Sequence, residues 1–457
     1  MADENAEEEK WGRVQGSAHI FGRLPSAVLA TSGIISEHSP LRITPTSLLL
    51  PKGTKFIGGA AGRSHLLLID SEGGAWGCGA NMVGQLGLPI CVEVTEFTRI
   101  RGPWLKEADA KIVQATAGHT FSLLLTSTGQ VYSMGSSEKG QLANGKTGER
   151  IIKGGKVAFD VETPRLIAGG LVGKKIVEIA SGNQHSLAMD DEGYVWAWGY
   201  AGYARLGLGD QKDQLLPTLV PQFSRDNVLS RAHKIVCGPT NSVVIDRQKT
   251  YYMAGKWKVT GDGSTGAPYT TFKYIQDIMS CKIDVACCGG CTHFITTPDA
   301  EGGTMTVAFG QGALYGEMGF GNDVGKSATK PQQVMPLAGI DVIDIAAGCF
   351  FTMFLARPNA KLSDIPRHPV HVDSSSICVV CNREEEDDPL ECEKCDQPYH
   401  LACLDPPLQT IPDGEWFCPV CEAAADVEVE EVLLVDANGK RKAEPSIKAK
   451  KPAKRKR

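Results

Sequence analysis

Across most of the chain, apolar residues alternate or run for four to six positions and then stop at glycine. The first full unit has Gly62-Arg63-Ser64-His65-Leu66-Leu67-Leu68-Ile69, then Trp76-Gly77, then Gly84-Gln85-Leu86-Gly87. A second has Gly118-His119-Thr120-Phe121-Ser122-Leu123, Met134-Gly135 and Gly140-Gln141-Leu142. A third has Gly182-Asn183-Gln184-His185-Ser186-Leu187, Trp198-Gly199 and Arg205-Leu206-Gly207. Weaker copies start near Gly238, Gly289 and Gly348, so the leading glycines recur every 51–64 residues. Short apolar runs bounded by glycine predict buried strands joined by tight turns. Several short-strand units at this period predict a mainly β chain, a β-propeller. No helical pattern stands out before residue 357.

These units resemble regulator of chromosome condensation (RCC) repeats over residues 11–356, strongly in the first three copies. The stretch Val195–Phe223 is most similar to the family's telophase-disc branch, which associates with mitotic chromosomes and small GTPases. Family propellers have seven blades, whereas six copies are visible here. The resemblance therefore implies six or seven blades. The strand Ala18-His19-Ile20-Phe21-Gly22 is expected to close the last blade by pairing near Thr352–Leu355, and a seventh blade could lie within 23–56. Residues 143–165 form a long connection carrying Lys146, Arg150, Lys153 and Lys156. It reads as an inert surface loop. The other reading is the counterpart of the hairpin wedge by which the family's nuclear exchange factor contacts its GTPase.

The repeat histidines His65, His119 and His185 sit in one turn of successive units, tens of residues apart, and read as architecture. Cys287, Cys288, Cys291 and His293 could suggest a metal, but neighbours on a strand face opposite ways, so packing is expected. No glycine-rich string follows the pattern of a phosphate loop.

Composition then divides the chain. Its 457 residues suit two or three domains. The net charge of −6 hides opposite ends. Residues 1–10 are acidic and unlike a signal peptide, and no apolar run is long enough to span a membrane. Pro358, Pro366, Pro369 and Ser374-Ser375-Ser376 mark 357–376 as a linker. Residues 423–457 read as a disordered tail. Its end, Lys450, Lys451, Lys454, Arg455, Lys456 and Arg457, reads as a nuclear localisation signal that could also touch DNA nonspecifically.

Between linker and tail lies a different pattern, C-x2-C-x10-C-x2-C-x4-H-x2-C-x14-C-x2-C, formed by Cys378, Cys381, Cys392, Cys395, His400, Cys403, Cys418 and Cys421. A C-x2-C turn aims two thiolates at one ion, and zinc accepts four such ligands tetrahedrally. Eight ligands fill two closed sites, so two structural zinc ions are expected. Disulfides compete, but fit poorly with a chain lacking a secretion signal. The order, with Trp416 two positions before Cys418, resembles the plant homeodomain (PHD) finger over 377–422. That resemblance implies a cross-brace: one zinc on Cys378, Cys381, His400 and Cys403, the other on Cys392, Cys395, Cys418 and Cys421. A RING-type ubiquitin ligase uses a similar brace, with its histidine fourth rather than fifth.

Eleven acidic and two basic residues lie between Cys378 and Cys421. Such a surface favours cationic peptides over phosphate backbones. The resemblance implies binding of a histone-3 tail as an added strand along Pro389-Leu390-Glu391. Places where the family builds an aromatic methyl-lysine cage hold Ile377, Leu390 or Glu391, and Pro398. Glu393 and Asp396 resemble the carboxylates that fork onto the tail's arginine. Asp388 ends an acidic run suited to an unmodified lysine, and Pro412 to Gly414 resembles the loop that captures the tail's amine. The expected protein is a nuclear, chromatin-associated adaptor and not an enzyme. Its finger reads an unmodified histone-3 tail, and its propeller is a protein or chromatin platform. A guanine-nucleotide exchange factor or GTPase regulator is the alternative, and a ubiquitin ligase the third.

Overall fold

The computed structural model divides into two compact units, Met1–Lys361 and Leu362–Arg457. It describes residues 19–23, 41–47, 56–107, 110–256, 268–289, 292–300, 303–311, 318–320, 327–347, 352–356, 378–381, 383, 390–392, 398–412, 416–419, 427–435 and 441–449.

The first unit is built from four-stranded antiparallel sheets. Blade one has β3 (Phe56–Ala61), β4 (His65–Asp70), β5 (Ala75–Ala80) and β6 (Glu93–Ile100). Blade two has β7 (Ile112–Ala117), β8 (Phe121–Thr126), β9 (Val131–Ser136) and β12 (Val161–Leu166). Between β9 and β12 a separate hairpin rises, β10 (Arg150–Ile152) and β11 (Lys156–Ala158). Blade three has β13 (Ile176–Ser181), β14 (His185–Asp190), β15 (Val195–Gly199) and β16 (Gln214–Leu219). Blade four has β17 (Ala232–Cys237), β18 (Asn241–Asp246), β19 (Tyr251–Gly255) and β20 (Tyr269–Tyr274). Blade five has β21 (Val285–Gly289), β22 (Thr292–Pro298), β23 (Thr304–Gln311) and β24 (Ser327–Gln333). The sixth repeat supplies a two-stranded sheet, β25 (Val342–Ala347) with β26 (Thr352–Ala356).

The closure expected of the N-terminal strand differs. β1 (His19–Arg23) pairs with β2 (Leu41–Ser47), not with β26. The pair β2 forms with β1 is also the only sheet described within 23–56, which holds no complete further blade among the described residues. Helical structure described before residue 357 is confined to single 3-10 turns.

The core lies between neighbouring sheets. Leu67, Ile69 and Trp104 of the first blade pack with Leu124, Tyr132 and Met134 of the second. Trp104 meets Tyr132 edge to face at 5.1 Å. Leu123, Leu125 and Leu142 continue against Ala188, Trp196 and Trp198 of the third blade. This explains why β8 and β14 are apolar runs rather than alternating strands: both faces are buried.

The leading glycines of the first three units are fixed by the next blade. A Cβ on Gly62 would fall 2.6 Å from the Gly118 carbonyl, and one on Gly118 would fall 2.8 Å from the Gly182 carbonyl. Only hydrogen fits there. Gly135 and Gly199, which end the third strands, take φ of 112° and 96° and bulge the ladder. The bulge turns the next amide inward: Ser136 N donates to Thr120 O and Tyr200 N to Gln184 O, both at 2.9 Å.

The histidines join this framework. His65 Nε2 lies 2.8 Å from Ser122 Oγ of the next blade, and Ser122 Oγ donates to Gln85 O. His185 Nε2 lies 3.0 Å from Ser242 Oγ, which donates to Arg205 O. Between the second and third blades, Trp198 Nε1 of the third donates to Gln141 O of the second at 3.0 Å. Burial lowers the pKa of His65 to about 4 and of His185 to about 3, so both are neutral.

This burial sets a pH response. The folded pKa values lie below the ordinary 6.5, so the unfolded chain binds more protons between them. The histidines' contribution is fully present above pH 6.5 and is lost as pH falls toward 4. Urea melts at pH 7 and pH 5 should show the loss. The slope is at most about 1.4 kcal/mol per pH unit for each group. His185→Asn, which copies Asn241 at the same place in the fourth blade, should flatten that dependence.

Candidate metal centre and peptide surface

The finger is organised by a short ladder. β27 (Leu390–Glu391) pairs antiparallel with β28 (Pro398–Tyr399). Leu390, Tyr399 and Leu404 form its small core with Cys392 and Cys418, and Leu401, Leu408 and Trp416 pack against them. Tyr399 and Trp416 meet edge to face at 5.6 Å. Both aromatics therefore serve packing.

The ladder places the first ligand group. Val379 N donates to Pro398 O at 3.0 Å, which docks the Cys378–Cys381 turn beside β28. His400 follows β28 directly, and Cys403 N donates back to His400 O at 2.9 Å. The ligand atoms of Cys378, Cys381, His400 and Cys403 consequently lie within 4.8 Å of one another. Tetrahedral zinc with sulfur ligands needs separations of about 3.8 Å, so a small contraction suffices. His400 Nδ1 faces the sulfurs, 3.3 Å from Cys381 Sγ and 3.8 Å from Cys403 Sγ.

The electrostatics suit a cation. Burial pushes the Cys378 thiol up, but N–H groups of His400, Cys381 and Val380 outweigh it and hold the pKa at about 6. A thiolate is thus available near neutrality. Burial, then the Cys381 and Cys378 thiols, push Cys403 up to about 11. These thiols resist ionising together, and a divalent ion removes that conflict.

The second group is partly described. Cys392 and Cys418 are buried together, and Cys418 N donates to Cys392 Sγ at 3.2 Å. Cys395 and Cys421 lie outside the described residues. Of the peptide contacts, Leu390 points into the core, Glu391 is exposed on β27 and Pro412 is half-buried. Asp388, Pro389, Glu393, Asp396 and Gly414 lie outside the described residues, as do the linker 357–376 and Lys450–Arg457. The preceding segment, read as tail, contains β29 (Val427–Val435) paired with β30 (Arg441–Ala449).

Elsewhere, the cysteine-histidine cluster of blade five is packing. His293 Nδ1 lies 2.9 Å from Tyr251 Oη and 3.3 Å from Cys288 Sγ, while its ring stacks on Phe309 at 5.0 Å. Burial lowers the His293 pKa to about 4 and raises the Cys288 thiol. Cys291 lies outside the described residues. The insertion at 143–165 carries the β10–β11 hairpin. Asp160 pins its base through Lys146 Nζ at 2.7 Å and Arg150 Nη1 at 2.9 Å. Ile151 and Val157 project from the hairpin, 79% and 52% exposed. Sequence reading missed Asp160; its signal was a carboxylate ten residues from Arg150, the span of a short hairpin.

Residues 11–354 match the RCC1-like domain. The chain belongs to this family. Residues 378–421 match the PHD-finger. The zebrafish (Danio rerio) protein RCC2 homolog is 28% identical over 366 residues, covering 76% of this chain and 70% of the relative. Human (Homo sapiens) protein RCC2 is 27% identical over 318 residues, covering 67% of this chain and 58% of the relative. The chain thus spans about three fifths of the length of that relative. Yeast RCC1 (Prp20), solved bound to Kap60, superposes with a TM-score of 0.58 at 20% identity, covering 76% of this chain and 79% of the other. That likeness supports the propeller fold.

Tyr399→Ala tests the finger's core. Removing a buried aromatic typically costs about 3 kcal/mol or more, which a domain this small cannot absorb. Amide spectra of the variant should lose the finger's dispersion and keep the propeller's.

Proposed function

We propose that the protein is a chromatin adaptor in which a zinc-bound finger reads the unmodified histone-3 tail and the propeller provides a second binding surface. The gathering of Cys378, Cys381, His400 and Cys403 into one closed donor set carries this reading. Two zinc ions, on that set and on Cys392, Cys395, Cys418 and Cys421, would hold the fold and offer no open position for catalysis. The tail would add as a strand beside β27, with Glu393 and Asp396 taking its arginine and the Pro412–Gly414 stretch its amine. With Tyr399 and Trp416 packed together, Phe417 is the remaining finger aromatic, and one ring does not make a cage. Lys450, Lys451, Lys454, Arg455, Lys456 and Arg457 would direct the chain to the nucleus and add nonspecific DNA contacts. Two weak modules on one nucleosome gain avidity.

A second reading, regulation of a small GTPase, is favoured by the pinned β10–β11 hairpin and its exposed Ile151 and Val157. Ubiquitin ligation is the third; failure of the finger to discharge a loaded conjugating enzyme would remove it.

Calorimetric titration of the zinc-loaded protein separates the first two. The unmodified tail peptide should bind, with trimethylation of its fourth lysine or acetylation of its amine weakening it. Asp396→Ala should cost about tenfold or more, as loss of a charge-assisted pair does. Tighter binding of the trimethyl peptide would refute the reading. For the second reading, nucleotide release from a GTPase panel should accelerate with the parent protein and slow with Ile151→Asp. No acceleration anywhere would eliminate exchange.

A further inference from the structure

In the third blade, Arg205 stands where the first two blades have Gln85 and Gln141. Its side chain is enclosed, with the residue only 3% exposed. Nε donates to Gly202 O at 2.8 Å and Nη1 to Pro239 O at 2.9 Å. The guanidinium lies 4.8 Å from the Tyr200 ring centre and 5.8 Å from that of Tyr203. Among the described residues no carboxylate forms an ion pair with it, and Asp213 favours its charge only from farther away.

The same two rings carry further cations. Lys139 Nζ lies 5.6 Å from Tyr200, and Lys256 Nζ lies 5.3 Å from Tyr203. Lys139, Arg205 and Lys256 leave the third strands of three successive blades, so the topology sets them side by side on one face. Tyr203 holds left-handed backbone, φ 61° and ψ 19°, to present its ring there, and is 47% exposed. The carboxylates nearby are Glu138, 3.9 Å from Lys139, and Asp213, which accepts from Ala201 N. Arg63 extends the positive side: burial, then Arg63 and Arg205, lower the pKa of His119.

Concentrating cations against aromatic faces in a half-buried setting raises their mutual repulsion, and an anion relieves it. We propose that Lys139, Tyr200, Tyr203, Arg205 and Lys256 form a docking site for an acidic peptide segment of a partner protein. Nucleic acid fits less well. Both rings already lie under cations, leaving them poorly placed for base stacking, and these few cations fall short of a typical phosphate track. The proposal gives the propeller platform a specific surface and ligand class, and does not depend on what the finger binds.

Lysine footprinting of the full zinc-loaded chain tests it. Acetylation rates at each lysine are followed by mass spectrometry with decaglutamate, decaglutamine or a short oligothymidylate. Decaglutamate should slow Lys139 and Lys256 by about threefold or more, the scale of partly exposed ion pairs, and leave Lys153 and Lys156 unchanged. Decaglutamine should do nothing. Arg205→Gln, which restores the residue of the other blades, should abolish the protection at both lysines. Should that variant fail to fold, Lys139→Gln/Lys256→Gln, with unchanged melting, should weaken decaglutamate photocrosslinking to Tyr203. No protection, equal protection by oligothymidylate, or protection persisting in a folded Arg205→Gln would overturn the proposal. Protection already present without added peptide, and released by salt, would assign the site to an acidic stretch of this chain instead.

Discussion

The propeller depends on a contact too close for any side chain. Gly62 lies under the carbonyl of Gly118, Gly118 under that of Gly182, and Gly182 under that of Gly238. The first four blades are therefore seated on one another by backbone, through three successive seats. Above it, His65 and His185 reach across to Ser122 and Ser242. At the opposite end of the strands, the amides of Ile112, Ile176 and Ala232 donate to the carbonyls of Gly73, Gly129 and Gly193 in the preceding blade. Apolar side chains fill the space between these two sets of polar clamps. Stability in such an array is shared between each unit and its neighbours, and the clamps fix their spacing.

The same economy appears at smaller scale in the finger. Its ladder is only two residues wide, and its core is a few side chains around Tyr399 and Trp416. So small a core needs a staple. The ladder delivers Cys378, Cys381, His400 and Cys403 to one point, where the thiols hold each other's ionisation back. Bringing donors together thus creates the demand for the ion that would hold them.

Much of this was legible in the chain. Glycine followed three residues later by His65 or His185 marked the seats between blades, because a close backbone approach excludes every other residue. The spacing of the finger's cysteines marked the donor set, because a short turn between paired ligands is a local geometry. What failed was long in reach. The strand at His19–Arg23 resembles a third strand, yet pairs with Leu41–Ser47, since pairing of a terminal strand is settled by competition among distant edges. The hairpin within 143–165 was also not legible, because a salt-bridged base, Asp160 with Lys146 and Arg150, has no periodicity to betray it.

The sequence by itself determined the class of fold, the period of its repeating units and the clustering of Cys378, Cys381, His400 and Cys403. These follow from period and spacing, which are properties of neighbours along the chain. Only the tertiary structure decided that Arg205, a residue read simply as part of a repeat, is a buried cation between Tyr200 and Tyr203 with Lys139 and Lys256 beside it. Those side chains come from three blades and are separated by more than a hundred residues, so nothing local could join them. Charge acts through space, and the folded sheets decide which charges are close.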